Sequence, residues 1–179
     1  ENGDASGFDI SMKYDRKNLY IWAVYSLAYV NRYDGIEHYV PHYDRRHNVN
    51  LVASYKFGKD KLWDLNFRWN LGSGFPFTQT QGYYEKLTFP SGIFSNIVTQ
   101  NGTLALIYGD YNKGRLPYYH RLDGGLSRTF QLRENTSLEA NVTVTNIYNR
   151  DNIFYVDRIS NEKVYQLPLM PSAGITLSF

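Results

Sequence analysis

Residue-by-residue alternation of apolar and polar side chains, a regular rhythm of short and long connections, and an aromatic-rich but hydrophilic composition predict an all-β fold. They point to an antiparallel transmembrane β-barrel. Of the 179 residues, 17% are aromatic, with 17 Tyr, 10 Phe and 3 Trp. Mean hydropathy is nevertheless -0.49. That combination suits a barrel with aromatic girdles at two membrane interfaces and a polar lumen. A secreted carbohydrate-binding β-sandwich has a similar composition and is the competing expectation.

Seven strands are predicted, over residues 6–15, 19–33, 47–58, 62–79, 117–132, 137–150 and 164–179. In the first, Phe8, Ile10, Met12 and Tyr14 alternate with Asp9, Ser11 and Lys13. The third sets Val49, Leu51, Ala53, Tyr55 and Phe57 against Asn50, Val52, Ser54 and Lys56. The fourth is the clearest, with Trp63, Leu65, Phe67, Trp69 and Leu71 against Asp64, Asn66, Arg68 and Asn70. The sixth alternates through Leu138, Ala140, Val142 and Val144, and the last through Ala173, Ile175, Leu177 and Phe179. Successive strand side chains point to opposite faces, so each of these segments has one apolar and one polar side. The stretch from Leu19 to Val30 is apolar on both sides, which leaves its lipid-facing side open. Between Leu122 and Leu132, Arg128 falls on the apolar side, where a long side chain can reach toward water.

The connections separate a barrel from a sandwich. Asp15–Asn18, Gly58–Lys61 and Arg133–Thr136 are tight polar turns. Between them lie longer segments, about Asp34 to Arg46, Thr80 to Leu116 and Asp151 to Lys163. Membrane barrels keep short turns on the periplasmic side and long loops outside. Greek-key sandwiches have no cause to alternate in this way. If the final strand ends in the periplasm, all three tight turns fall on that side.

Several functional classes are disfavoured. Without cysteine there is no disulfide framework or thiol centre. A net charge of +2 with interspersed signs does not suggest nucleic-acid binding. No apolar run approaches the roughly 20 residues of a transmembrane helix. His38, His42 and His47 share the first long loop with acidic residues, but Pro41 interrupts a helical metal-binding arrangement, and a polar surface loop is expected. No nucleophile elbow or phosphate-cradling loop is present, so neither catalysis nor a cofactor is expected. His120, Arg121 and Asp123 suggest acid–base chemistry only weakly, because they begin a strand.

The chain ends Ser172-Ala-Gly174-Ile-Thr-Leu177-Ser-Phe179. This pattern resembles the terminal signal by which outer-membrane proteins offer a strand edge to the barrel-assembly machinery. Four further stretches also carry a resemblance: Trp69-Asn-Leu-Gly-Ser-Gly-Phe-Pro-Phe-Thr78, Gly114-Arg-Leu-Pro-Tyr-Tyr-His-Arg-Leu-Asp123, Asn146-Ile-Tyr-Asn-Arg-Asp-Asn152 and Leu167-Pro-Leu-Met-Pro171. Together they make the chain similar to the C-terminal barrel region of TonB-dependent outer-membrane receptors of the Bacteroidetes type. The resemblance implies a barrel of about 22 strands around an N-terminal plug. Residues 1–179 would then be its last seven or so strands, with the plug and the earlier strands absent. It further implies energised uptake of a nutrient such as a siderophore, glycan or peptide. Implied partners are outer-membrane lipid, TonB through the missing plug region, the assembly machinery through the last strand, and a surface lipoprotein. A receptor-like barrel with a structural role in an envelope complex, or held as an assembly client, is the alternative. Within the longest loop, Tyr83, Tyr84, Phe89, Tyr108 and Tyr111 are the candidate ligand contacts, because binding concentrates in loops.

Overall fold

The computed structural model of the chain describes residues 2–87, 102–133 and 135–179. In chain order its strands are β1 (Asn2–Arg16), β2 (Leu19–Tyr33), β3 (His38–Tyr39), β4 (His47–Phe57), β5 (Trp63–Gly72), β6 (Pro76–Phe77) and β7 (Thr80–Lys86). They continue with β8 (Thr103–Tyr108), β9 (Gly114–Arg115), β10 (Tyr119–Arg133), β11 (Thr136–Thr145), β12 (Ile153–Val156), β13 (Lys163–Tyr165) and β14 (Met170–Ser178). The chain is all-β. Its seven long strands form one antiparallel sheet in the order β1-β2-β4-β5-β10-β11-β14, a meander in which each long strand pairs with the next. The sheet is open, because β1 and β14 are not paired with each other.

Register gives the sheet two faces of opposite chemistry, since directly opposed residues of an antiparallel pair lie on the same side. One row runs Met12, Ala23, Leu51, Trp69 and Leu122. Another row on the same face runs Tyr55, Leu65, Leu126, Val142 and Ala173. The other face carries Lys56, Asp64, Ser127, Asn141 and Gly174 in one row. Ser54, Asn66, Gly125, Thr143 and Ser172 form the next. Pairing also settles β2. Ile21, Ala23, Tyr25 and Leu27 lie opposite the apolar residues of β1, while Trp22 sits on the polar face and donates to Ser11 Oγ at 3.0 Å. Arg128 does stand on the apolar face. Its guanidinium lies 4.9 Å from the Trp63 ring and 4.5 Å from the Phe130 ring, which offsets part of the cost of that position.

The distribution of burial is inverted relative to a water-soluble domain. No hydrophobic side chain among the described residues is fully buried, and Ile175 is 76% exposed. Among the described residues the largest fully buried side chains are those of Asp44 and Asn146. The apolar face spans seven strands at about 4.8 Å spacing and about 30 Å along them, roughly 1,000 Å². Soluble monomers rarely expose a contiguous apolar patch above a few hundred Å². All seven long strands belong to this one sheet, so none of them supplies a second layer over it.

Two predicted segments end earlier than the alternation suggests, and a third is divided. The segment expected over residues 62–79 stops at Gly72 and resumes as the separate strand β6. At Gly74 a Cβ would collide with the Leu116 carbonyl, and that close backbone approach turns the chain out of the sheet. The segment expected over 137–150 stops at Thr145, because Asn146 and Asn149 adopt φ of 55° and 48°. Those are left-handed values that end a strand. The segment expected over 164–179 divides into β13 and β14. Among the described residues the longest connection also holds two antiparallel strand pairs, β6 with β9 and β7 with β8.

Candidate functional site

The tight turns lie at one end of the sheet and the long connections at the other, where buried polar groups organise three loops. Asp44, 1% exposed, pairs with Arg115 of β9 and accepts from the Val30 amide at 3.2 Å. Arg115 also donates to the Gly74 carbonyl at 3.2 Å, joining the 34–46 loop to the β6–β9 ribbon. Beside it the Asn112 amide donates to Thr78 Oγ1 at 3.0 Å, and Asn112 Nδ2 donates to the Val40 carbonyl at 2.8 Å. Arg45 lies 4.5 Å from the Phe75 ring and 5.4 Å from the Tyr119 ring. Burial between them lowers its pKa, with the opposing influence of Tyr119 second.

A second clamp holds the 146–169 segment. Asn146 receives the Arg150 amide at 3.0 Å and donates to the carbonyls of Arg150 and Leu167 at 3.0 and 3.1 Å. Its own amide donates to Asp123 Oδ1 at 2.9 Å. Asn152 exchanges hydrogen bonds with the His120 backbone at 3.2 and 2.9 Å, and Asn149 accepts from the Leu169 amide at 2.8 Å. All three asparagines of the 146–152 stretch are therefore structural. Their side chains replace the ladder bonds that the chain gives up when it leaves the sheet.

Between these clamps lies a cleft of about 720 Å³, walled by Phe75, Phe77, Tyr108, Phe154, Tyr155 and Ile159. Two hydrogen bonds tie its sides together. Tyr83 donates its hydroxyl to the Ile159 carbonyl at 3.0 Å, and Thr80 Oγ1 donates to the Arg158 carbonyl at 3.4 Å. Asp157 accepts from the Ile159 and Ser160 amides at 2.8 Å each. The Ser160 amide, followed by that of Ile159, pulls its pKa below the ordinary aspartate value.

Of the ligand contacts expected from sequence, Tyr108 lines this cleft and Tyr83 braces its wall. Tyr84 is on β7 but outside the lining, and Tyr111 packs edge-on against Tyr39 at 5.1 Å. Phe89 lies outside the described residues. The contribution from Phe154, Tyr155 and Arg158 was not expected, although two adjacent aromatics followed closely by Asp-Arg between turn residues are a visible signal. Ser172 and Gly174 lie on the polar face of β14, where Ser172 Oγ shares a 2.6 Å hydrogen bond with Thr143. Leu177 lies opposite Leu138 on the apolar face, and Phe179 follows the strand, 97% exposed.

The histidines are dispersed. His38 packs on Tyr33, His42 stands edge-on to Tyr43, and His47 shares a 2.9 Å hydrogen bond with the Tyr25 hydroxyl. Among the described residues no group of three or more acidic and histidine side chains is placed to hold a metal. His120 shares a 2.7 Å hydrogen bond with Tyr148 and lies on the face opposite Arg121 and Asp123. Its imidazole is therefore separated by the sheet from that carboxylate, which Arg121 already engages at 2.9 Å. No protein-family model, curated protein or solved structure matches the chain.

Proposed function

We propose that the chain is the C-terminal part of an outer-membrane β-barrel, belonging to a TonB-dependent receptor that binds and takes up a nutrient rather than transforming it. The observation that carries the membrane reading is the uncovered apolar face, with a polar face behind it. Lipid is a cover that suits its dimensions. The long strands have from nine to 15 residues, and about 9–11 tilted residues cross a bilayer. Tilt requires stagger between neighbours, and the sheet is staggered. Thr129 to Arg133 of β10 continue beyond the row where Trp63 begins β5. Tyr55, Phe57 and Trp63 stack at centroid distances of 6.1 and 6.0 Å near the tight turns. That is the place of one aromatic girdle.

The polar face then lines a hydrated lumen, and the long connections with their cleft face outward. The two free sheet edges would be closed by further strands, because open edges are not tolerated in lipid. Energised uptake, a plug and the TonB connection rest on the resemblance of the 69–78, 114–123, 146–152 and 167–171 stretches. A soluble two-sheet sandwich is less well supported, since the long strands form a single sheet. Fractionation of cells carrying the full-length protein tests the reading. Recovery in the outer membrane, with heat-dependent gel migration, is expected. Recovery in the soluble fraction without detergent would overturn it.

A further inference from the structure

The cleft at the loop end has a narrower chemistry than a general nutrient site. Its walls are mostly aromatic and aliphatic, with Phe75, Phe77, Leu106, Leu116, Phe154 and Ile159 supplying the apolar surface. Three polar groups of the lining are engaged internally. Thr78 bonds Asn112, Thr80 bonds the Arg158 carbonyl, and Asp157 accepts two backbone amides and the Ser160 hydroxyl. Arg158 differs. Its guanidinium lies over the Tyr108 ring at 5.7 Å, and no carboxylate pairs with it among the described residues. The ring orients the guanidinium without neutralising it, so a cation stands at the edge of the cavity, while the neighbouring Asp157 carboxylate is turned to the amides of its own loop.

We propose that the cleft binds a small amphipathic carboxylate, its ring or chain against Phe75, Phe77, Phe154 and Tyr155 and its anionic group on Arg158. The volume of about 720 Å³ falls within the roughly 300–1,000 Å³ of small-molecule sites. A planar guanidinium presents two parallel donors to a carboxylate, which a neutral amide of the same shape cannot match. Two tethers, from Tyr83 and Thr80, hold the 153–161 segment against β7, so the site is largely formed before the ligand arrives. This inference rests on the loop end facing the ligand, and not on energised uptake.

The test is calorimetric titration of the full-length protein in zwitterionic lipid nanodiscs with 2-naphthoate and its near-isosteric neutral partner, 2-naphthamide. Empty nanodiscs provide the correction for partitioning into lipid. Naphthoate is expected to bind about 10-fold or more tightly than the amide. Arg158→Gln should abolish that preference, and Arg158→Lys should retain part of it. Tyr108→Leu should weaken both ligands. Equal affinity for the two compounds, an unaltered preference in Arg158→Gln, or binding of neither would overturn the proposal. Fractionation is read separately, so failure here leaves the membrane reading standing. Selective naphthoate binding by a soluble protein would do the reverse.

Discussion

Phe67 and Asn66 are neighbours at the centre of β5 and point to opposite faces of the sheet. Phe67 lies opposite Ala53 and Gly124, and it remains 41% exposed after all the contacts of the sheet are made. Asn66 lies opposite Ser54 and Gly125 on the polar face. If lipid covers the apolar face, Phe67→Arg places a charge at mid-bilayer depth, which costs about 2–4 kcal/mol in barrels. It also forfeits the burial of the exposed part of the phenyl ring, about 1 kcal/mol of the 1.5–3 kcal/mol for a whole side chain. The total is about 3–5 kcal/mol. Asn66→Arg enters a hydrated lumen and should cost less than about 1 kcal/mol. Urea titration of the full-length protein folded into lipid vesicles measures both through the shift in midpoint at constant slope. A Phe67→Arg cost within about 0.5 kcal/mol of zero, the usual range for a water-exposed position, would refute the reasoning. Equal costs for the two variants would refute it as well.

The same titration should find Asn146→Ala destabilising by about 2–4 kcal/mol, because a fully buried amide with several hydrogen bonds is lost at a left-handed backbone position. Proteolytic cleavage in 146–169 should accelerate in that variant. Asp44→Ala should cost about 1–3 kcal/mol by removing the carboxylate that Arg115 and the Val30 amide bond, and Asp44→Ala/Arg115→Met should recover part of the loss. Independent additive costs in that cycle would show that the pair is not coupled. Asp34 and Asp157 both have pKa values lowered by backbone amides, first those of Glu37 and Ser160 respectively. A depressed folded pKa contributes stability above the unfolded value near 3.8 that is lost as pH falls through the folded value. Hydrogen exchange at Ile36, Glu37, Ile159 and Ser160 should therefore be unchanged from pH 8 to 5 and accelerate, relative to intrinsic rates, below about pH 4. Constant protection down to pH 2 would contradict those loop bonds.

The long strands are legible in the sequence because period-2 alternation is local and survives wherever one face is polar. β2 is not legible in that way. With apolar residues on both sides, its orientation depends on which residues of β1 and β4 lie opposite, and register is a long-range property. The overextended strand ends have a related cause. Phe75 and Phe77 continue the alternation of β5, yet the Gly74 contact with Leu116 comes from a residue far along the chain. Ile147 and Tyr148 likewise follow a strand-like run, but Asn146 prefers to bond its own turn and Leu167. The loop rhythm is readable because turn residues cluster. The cleft is not, because it is assembled from segments that meet only after folding. Tyr108 and Tyr83 are found through a preference for loop aromatics, which also selects Tyr84 and Tyr111 outside the lining.

The central claim is that one face of the sheet meets lipid, and the three tryptophans are placed to test it. Trp63 and Trp69 lie on the apolar face and Trp22 on the polar one. Full-length variants retaining one of these tryptophans, folded into vesicles containing brominated lipid, give the comparison by fluorescence quenching. The account predicts strong quenching of Trp69 by bromine deep in the acyl chains, quenching of Trp63 by bromine nearer the headgroup, and little quenching of Trp22. Equal quenching of Trp22 and Trp69, or accessibility of Trp69 to aqueous acrylamide without lipid quenching, would contradict it.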